Sequence, residues 1–228
     1  MKIFGISDLH LSFGTDKPMD IFYGWSNHTD RIKANWTRLV GEDDIVVLPG
    51  DFSWGLKISE TLEDFRFLDF LPGKKILIKG NHDLWWSTAK KIHQFFAENN
   101  IKTVEIIFNN MYKVGDYAVC GTRGWFGEKT SDKVIIQREA GRLRASLTAA
   151  VKENLTPIVF MHYPPVYGEE VVEPVIEVLR EFSIKKVYHG HIHGSGLNNS
   201  PKKFGEIDFK LLSCDCIDFT PYFIKEII

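Results

Sequence analysis

Short runs of consecutive apolar residues alternate along this chain with longer stretches in which apolar residues recur every third or fourth position. The first pattern marks strands covered on both faces, the second helices with one face on a core. Lys2–Ser7 reads as a strand, and Thr29–Val40 as a helix with Ile32, Trp36 and Leu39 on one side. Ile45–Leu48 is a buried strand stopped by Pro49-Gly50. Ser59–Leu71 reads as a helix capped by Ser59 with Glu63 as its box partner, and Pro72-Gly73 ends it. Lys75–Lys79 is the next strand and Ser87–Asn99 the next helix.

The rhythm then changes. Val104–Phe108, Met111–Val114 and Tyr117–Cys120 read as consecutive strands, the last two joined at Gly115-Asp116 in a hairpin. Ser131–Asn154 is the longest helix, with Ile136, Ala140, Leu143, Leu147 and Val151 as its apolar stripe. Ile158–Met161, Lys186–His189, Phe209–Cys214 and Tyr222–Ile228 read as strands, and Glu170–Phe182 as a helix after an irregular start. This order predicts an α/β fold with central sheets flanked by helices and some antiparallel strands. No repeat or linker divides the 228 residues, so one domain over 1–228 is expected. Leu11–His28 has no period and four aromatics, Phe13, Phe22, Tyr23 and Trp25. Loops of this length are often functional. Burial of the loop's own rings is the first expectation, and capping of a site the second.

Charge narrows the partners. Lys and Arg total 28 against 30 Asp and Glu, a net charge of -2. No general basic field exists to hold long nucleic acid or an anionic membrane surface. The three cysteines make no disulfide framework, and Cys214 and Cys216 read as small apolar residues sharing one strand face. Free thiols point to the cytoplasm. No run approaches a membrane span or a signal peptide.

The chemistry gathers where strands end. Asp8 and His10 follow the first strand, Asp51 the second, and Asn81, His82 and Asp83 the third. His162 follows a later strand, and His191 and His193 another. In α/β sheets such exits line one crevice. Taken singly, each element has an ordinary reading: a polar turn, a Gly-Asp turn, a core histidine. Jointly they supply imidazole, carboxylate and carboxamide donors without thiolate, a set suited to borderline divalent ions. Seven candidate ligands exceed one four-coordinate ion and suit two ions sharing a carboxylate. Two divalent ions against Asp8, Asp51 and a bridging hydroxide leave a net charge of about +1, attractive to an anion. The same ions would lower the pKa of bound water toward about 7.

Asp8-Leu9-His10, Gly50-Asp51, Gly80-Asn81-His82-Asp83, His162 and Gly190-His191-Ile192-His193 together resemble the calcineurin-like metallophosphoesterases. The resemblance implies a β-sandwich flanked by helices that carries two Mn, Fe or Zn ions, divalent or of mixed valence. It implies that Asp8, His10, Asp51 and His193 hold one ion. Asp51, Asn81, His162 and His191 would hold the other, with Asp51 as the bridge. His82 would stand near the leaving oxygen, with Asp83 orienting its ring. The activity implied is hydrolysis of a phosphomonoester or phosphodiester by a metal-bridging hydroxide, on a phosphorylated small molecule or nucleotide. A non-catalytic metal-binding scaffold and a nuclease of the same superfamily are the alternatives. Many members carry Asp three residues after the bridging one, often followed by Arg; here Trp54 and Gly55 stand there, a separation from the protein phosphatases. Arg123 is a candidate phosphate clamp. His189 and His28 read as packing or support.

Overall fold

The computed structural model describes residues 1–126 and 130–227, with side chains throughout except at 130 and 131. In β1 (Lys2–Gly5), Ile3 and Phe4 point to opposite faces and enter two different apolar clusters. The same alternation holds in β2 (Ile45–Pro49) and β3 (Lys74–Ile78), where Val47 and Ile76 face one cluster and Leu48 and Leu77 the other. Both faces are therefore covered, which is why these strands read as unbroken apolar runs. β1, β2, β3 and β4 (Val104–Ile106) lie side by side in parallel. Their connections carry α1 (His28–Leu39), α2 (Leu62–Phe70) and α3 (Ala89–Glu98), which bury Trp36, Phe65 and Phe96 against the outer face.

A second sheet begins with the hairpin of β5 (Tyr112–Val114) and β6 (Tyr117–Thr122). After α4 (Thr130–Lys152), β7 (Thr156–Met161) pairs in parallel with β6. The small ribbon of β8 (Val166–Tyr167) and β9 (Glu170–Val171) leads to α5 (Glu173–Glu181) and then β10 (Lys186–His189), parallel to β7. β11 (Lys203–Phe204) and β12 (Ile207–Leu211) complete the order β11-β12-β10-β7-β6-β5. β13 (Tyr222–Glu226) returns to the first sheet, antiparallel to β1. Val119, Phe160 and Tyr188 of the second sheet, with Leu212 just past β12, meet Ile3, Val47 and Ile76 of the first in a shared core. α4 and α5 cover the far face. The layers run helices, sheet, sheet, helices, an α/β fold with central sheets between helices. No helix among the described residues is long and apolar enough to cross a membrane.

Four local expectations change. β4 and β5 belong to different sheets, because the chain crosses between them after Ile107, whose amide still bonds Leu77 O at 2.9 Å. The Ser59–Leu71 helix opens as a 3₁₀ turn, Ile58–Thr61, where the Glu60 carboxylate accepts from the Leu56 and Lys57 amides; neither Ser59 nor Glu63 caps it. On α4, Ala150 rather than Val151 enters the core, because over this length the buried stripe follows Ala140, Leu143 and Leu147 round to Ala150. β12 stops at Leu211, because its neighbour β10 leaves the sheet at Gly190. The chain then forms a 3₁₀ turn over Cys214–Ile217. Cys214 and Cys216 thus do not share a strand face: Cys214 Sγ donates to Asp8 O at 3.1 Å, and Cys216 sits half-buried near Ile192 O. All three thiols are free. The Ile228 end of the closing strand lies outside the described residues.

Candidate metal centre

The carboxyl ends of β1, β2, β3, β7 and β10 meet at one end of the sandwich, and their loops are laced together. Asp8 N donates to Gly50 O and His10 N to Asp51 O, both at 3.0 Å. Gly50, at φ +97, has Gly80 Cα and His162 Nδ1 so close that a Cβ would lie 2.6 Å from each. A Cβ at Gly80 would run into the Asp51 amide and carboxylate. Only glycine admits this approach. Asp8, His10, Asp51 and His191 all adopt positive φ, from 47 to 72. Each costs on the order of 1–3 kcal/mol in a non-glycine residue, strain that clusters at functional sites.

Two donor groups result. Asp8, His10 and His193 offer ligand atoms within 4.8 Å of one another, and so do Asp51, His162 and His191. Asp51 stands between the groups. Its Oδ2 lies 3.4 Å from His162 Nε2 and 3.9 Å from His10 Nε2, while its Oδ1 accepts from the His82 amide at 2.8 Å. Asn81 Oδ1 lies 2.7 Å from His162 Nε2. Further hydrogen bonds hold the donors in place. Asp8 accepts from the His191 amide and from Ser213 Oγ at 2.9 Å, His162 Nδ1 meets Pro49 O at 3.0 Å, and His193 Nδ1 meets Asp215 Oδ1 at 2.8 Å.

Electrostatics follow from burial and crowding. Burial pushes the His10 and His162 imidazoles down to about 3 and His191 to about 4, so all three stand neutral, the form that coordinates a cation. Burial also opposes charge on His193, but Asp8 and Asp215 overrule it and push it up to about 10. Burial would raise Asp8; His193, His162 and His10 hold it well below the usual carboxylate range. Burial, with Asp8 and Asp83 nearby, raises Asp51.

The residues fit two cations. His193 Nε2 is buried 3.1 Å from Asp8 Oδ1, yet the pair lacks hydrogen-bond geometry, and among the described residues His10 Nδ1 is buried without a hydrogen-bond partner. Buried polar atoms left in this way call for a further partner. The donors are imidazole, carboxylate and carboxamide, a set suited to borderline divalent ions.

The remaining predicted residues fall differently. His82 is exposed at the edge, its ring 4.4 Å from that of Trp54 and 5.6 Å from that of His10. Asp83 is fully buried, and its carboxylate accepts from the amides of Asp51, Phe52, Ser53 and Gly80 and from the Trp85 indole. These bonds tie the Asp51 and Gly80 loops together. Trp54, at the position where many family members carry Asp, instead stacks on His10 at 4.8 Å. Arg123 faces the buried Glu139, 3.5 Å away, and lies over the Trp125 ring; among the described residues it touches neither donor group. His189 packs near Phe209, and His28 against Trp25. Of the Leu11–His28 aromatics only Trp25 is buried; Phe13, Phe22 and Tyr23 are exposed. Ser213 was not anticipated, since the strand read over 209–214 gave it no special direction, and Asp215, just beyond that strand, carried no signal of its own. Tyr163, whose ring lies 4.0 Å from that of His191, was likewise missed.

Comparison with known proteins agrees with this geometry. The calcineurin-like phosphoesterase family model matches residues 1–195. No curated protein matches the sequence. Among solved structures, the protein of unknown function AQ665 from Aquifex aeolicus superposes with a TM-score of 0.54 at 17% identity, covering 97% of this chain and 95% of that one. The phosphopantetheinyl hydrolase PptH from Mycobacterium tuberculosis gives 0.49 at 12% identity, covering 93% and 88%. At 17% identity the likeness to AQ665 is one of fold. The family model spans every predicted donor from Asp8 to His193, and the chain belongs to the calcineurin-like phosphoesterase family.

Proposed function

We propose that this chain hydrolyses a phosphomonoester or phosphodiester with two transition-metal ions, Mn, Fe or Zn, in the cytoplasm. The observation that carries the reading is Asp51, whose carboxylate stands between the two donor groups. Asp8, His10, Asp51 and His193 would hold one ion and Asp51, Asn81, His162 and His191 the other. When bound, such ions polarise phosphoryl oxygens and acidify water.

The chain's own residues do the rest. The oxygen of water becomes bonded to phosphorus, the bond from phosphorus to the leaving oxygen breaks, and the proton that water gives up goes to the leaving oxygen. His82 would serve that oxygen by hydrogen bonding: partial burial lowers its pKa, so at neutral pH its ring is an uncharged N–H donor that steadies the developing negative charge. Its backbone amide donates to Asp51 and its ring leans on Trp54. Asp83 keeps the Asp51 and Gly80 loops in register. One domain over residues 1–228 carries these parts.

The test is metal-free protein reconstituted with Mn and assayed on mono- and diesters, nucleotides and phosphoproteins, with bound metal counted by mass spectrometry. About two ions per chain and turnover of one class are expected. Two ions with no hydrolysis under any metal would favour the scaffold reading.

A further inference from the structure

Beside the candidate metal centre opens a cleft of about 500 Å³, a size typical of small-molecule sites. Its inner wall is the centre itself, through His10, His82 and His193. Its outer walls are four aromatic rings, Phe22, Tyr23, Trp25 and Trp54. Trp54 stacks on His10 and leans on His82, and the Trp25 ring lies 5.8 Å from those of both His10 and His193. The ring shelf is thus continuous with the metal donors.

Phe22 and Tyr23 are the unexplained pair. Phe22 is 51% exposed and Tyr23 fully exposed, and among the described residues neither ring stacks on another. Their backbone is nonetheless held. Phe22 N bonds Met19 O at 3.0 Å, Trp25 N bonds Phe22 O at 3.2 Å, and Arg31, paired with Asp218, donates to Gly24 O at 2.7 Å. A tethered loop that presents two large rings to water beside a reaction centre marks a binding surface. Among the described residues lining the cleft, Met19 alone brings a flexible apolar chain, so its walls favour a flat ring over an alkyl chain. Ser195 adds a hydroxyl at the rim for a polar ring edge.

We propose that this cleft receives a planar aromatic group of the nucleobase kind, carried on the leaving side of the phosphoester, with Phe22 and Tyr23 as its stacking walls. The inference rests on the proposed function, which sets the phosphoryl group at the metal donors and puts His82 between it and the cleft. Base stacking on aromatic side chains tolerates every base, so the site selects a ring more than a sequence.

The test compares two esters with the same primary leaving alcohol, adenosine 5′-monophosphate and ribose 5-phosphate, and their methyl diesters, on Mn-reconstituted protein. The adenosine ester should be favoured by about tenfold or more in kcat/KM, through KM. Phe22→Ala with Tyr23→Ala should bring that ratio close to one. Phe70→Ala, which removes an exposed ring on α2 that does not line the cleft, should keep it. A second arm needs no metal or turnover: adenosine, and not ribose, should quench the tryptophan fluorescence of the metal-free protein, and the double variant should bind it about tenfold more weakly. Equal efficiency on both sugars, or a ratio that survives the double variant, overturns the inference while turnover keeps the proposed function. Quenching by adenosine without hydrolysis of any ester supports the aromatic subsite and counts against the proposed function. Absence of both the quenching and the preference overturns the subsite.

Discussion

His193 Nδ1 lies 2.8 Å from Asp215 Oδ1, which leaves Nε2 facing Asp8. A carboxylate behind a coordinating imidazole fixes its ring and raises its basicity. Asp215→Asn should therefore weaken metal binding by about 10–100-fold with the fold intact. Titration of metal-free protein with Mn, followed by calorimetry, checks this. Unchanged affinity would mean that Asp215 only packs.

His82→Ala should retain both ions and lose about 10²–10⁴-fold in kcat. Service to the leaving oxygen makes the loss larger for an alkyl ester than for an aryl ester with an acidic phenol. Steady-state kinetics across a leaving-group series reads this directly. A loss independent of the leaving group would assign His82 to another role.

Asp83→Ala removes the acceptor for four amides and an indole in a fully buried position. Leaving buried donors unpaired costs about 1–3 kcal/mol each where no water replaces the acceptor. Urea unfolding should show a loss of about 3 kcal/mol or more, and metal content should fall with it because the Asp51 and Gly80 loops separate. Loss of turnover with stability and metal intact would restore a direct role beside His82.

Asp51→Asn should stabilise the metal-free chain while abolishing tight binding of the second ion. Asp51 sits at φ 52, and burial and the carboxylates of Asp8 and Asp83 raise its pKa. Asparagine tolerates that backbone and carries no charge. A rise in the Tm of the metal-free protein, together with reduced Mn stoichiometry, is the expected pair of results.

Lys75 provides a pH signature away from the centre. Its ammonium is buried at the end of α2, donating to Leu71 O, to Gly73 O at 2.8 Å and to Thr103 Oγ1 at 2.9 Å. Burial pushes its pKa from 10.5 down to about 8. Between about pH 8 and 10.5 the unfolded chain then binds more protons than the folded one, so this group makes stability rise with pH across that window. Lys75→Met should remove that rise in urea unfolding measured from pH 7 to 10.5.

The sequence by itself determined the α/β layers and the seven candidate donors at strand exits. An unbroken apolar run such as Ile45–Leu48 reports a strand covered on both faces, and a glycine before Asp51, Asn81 or His191 reports a close backbone turn. These are local properties, written within a few residues. The roles of Asp83, Asp215 and Arg123 were not legible in this way, because each depends on which distant group arrives beside it. Asp83 meets the amides of the Asp51 loop, Arg123 meets Glu139, and Asp215 meets His193 only because β12 ends where β10 leaves the sheet. The same holds for the two donor groups. Spacing along the chain supplies their chemistry, but only the packing of two sheets face to face sets Asp51 between His10 and His162. Tertiary structure decided these points because hydrogen bonds and ion pairs act over a few ångströms in space, whatever the separation along the chain.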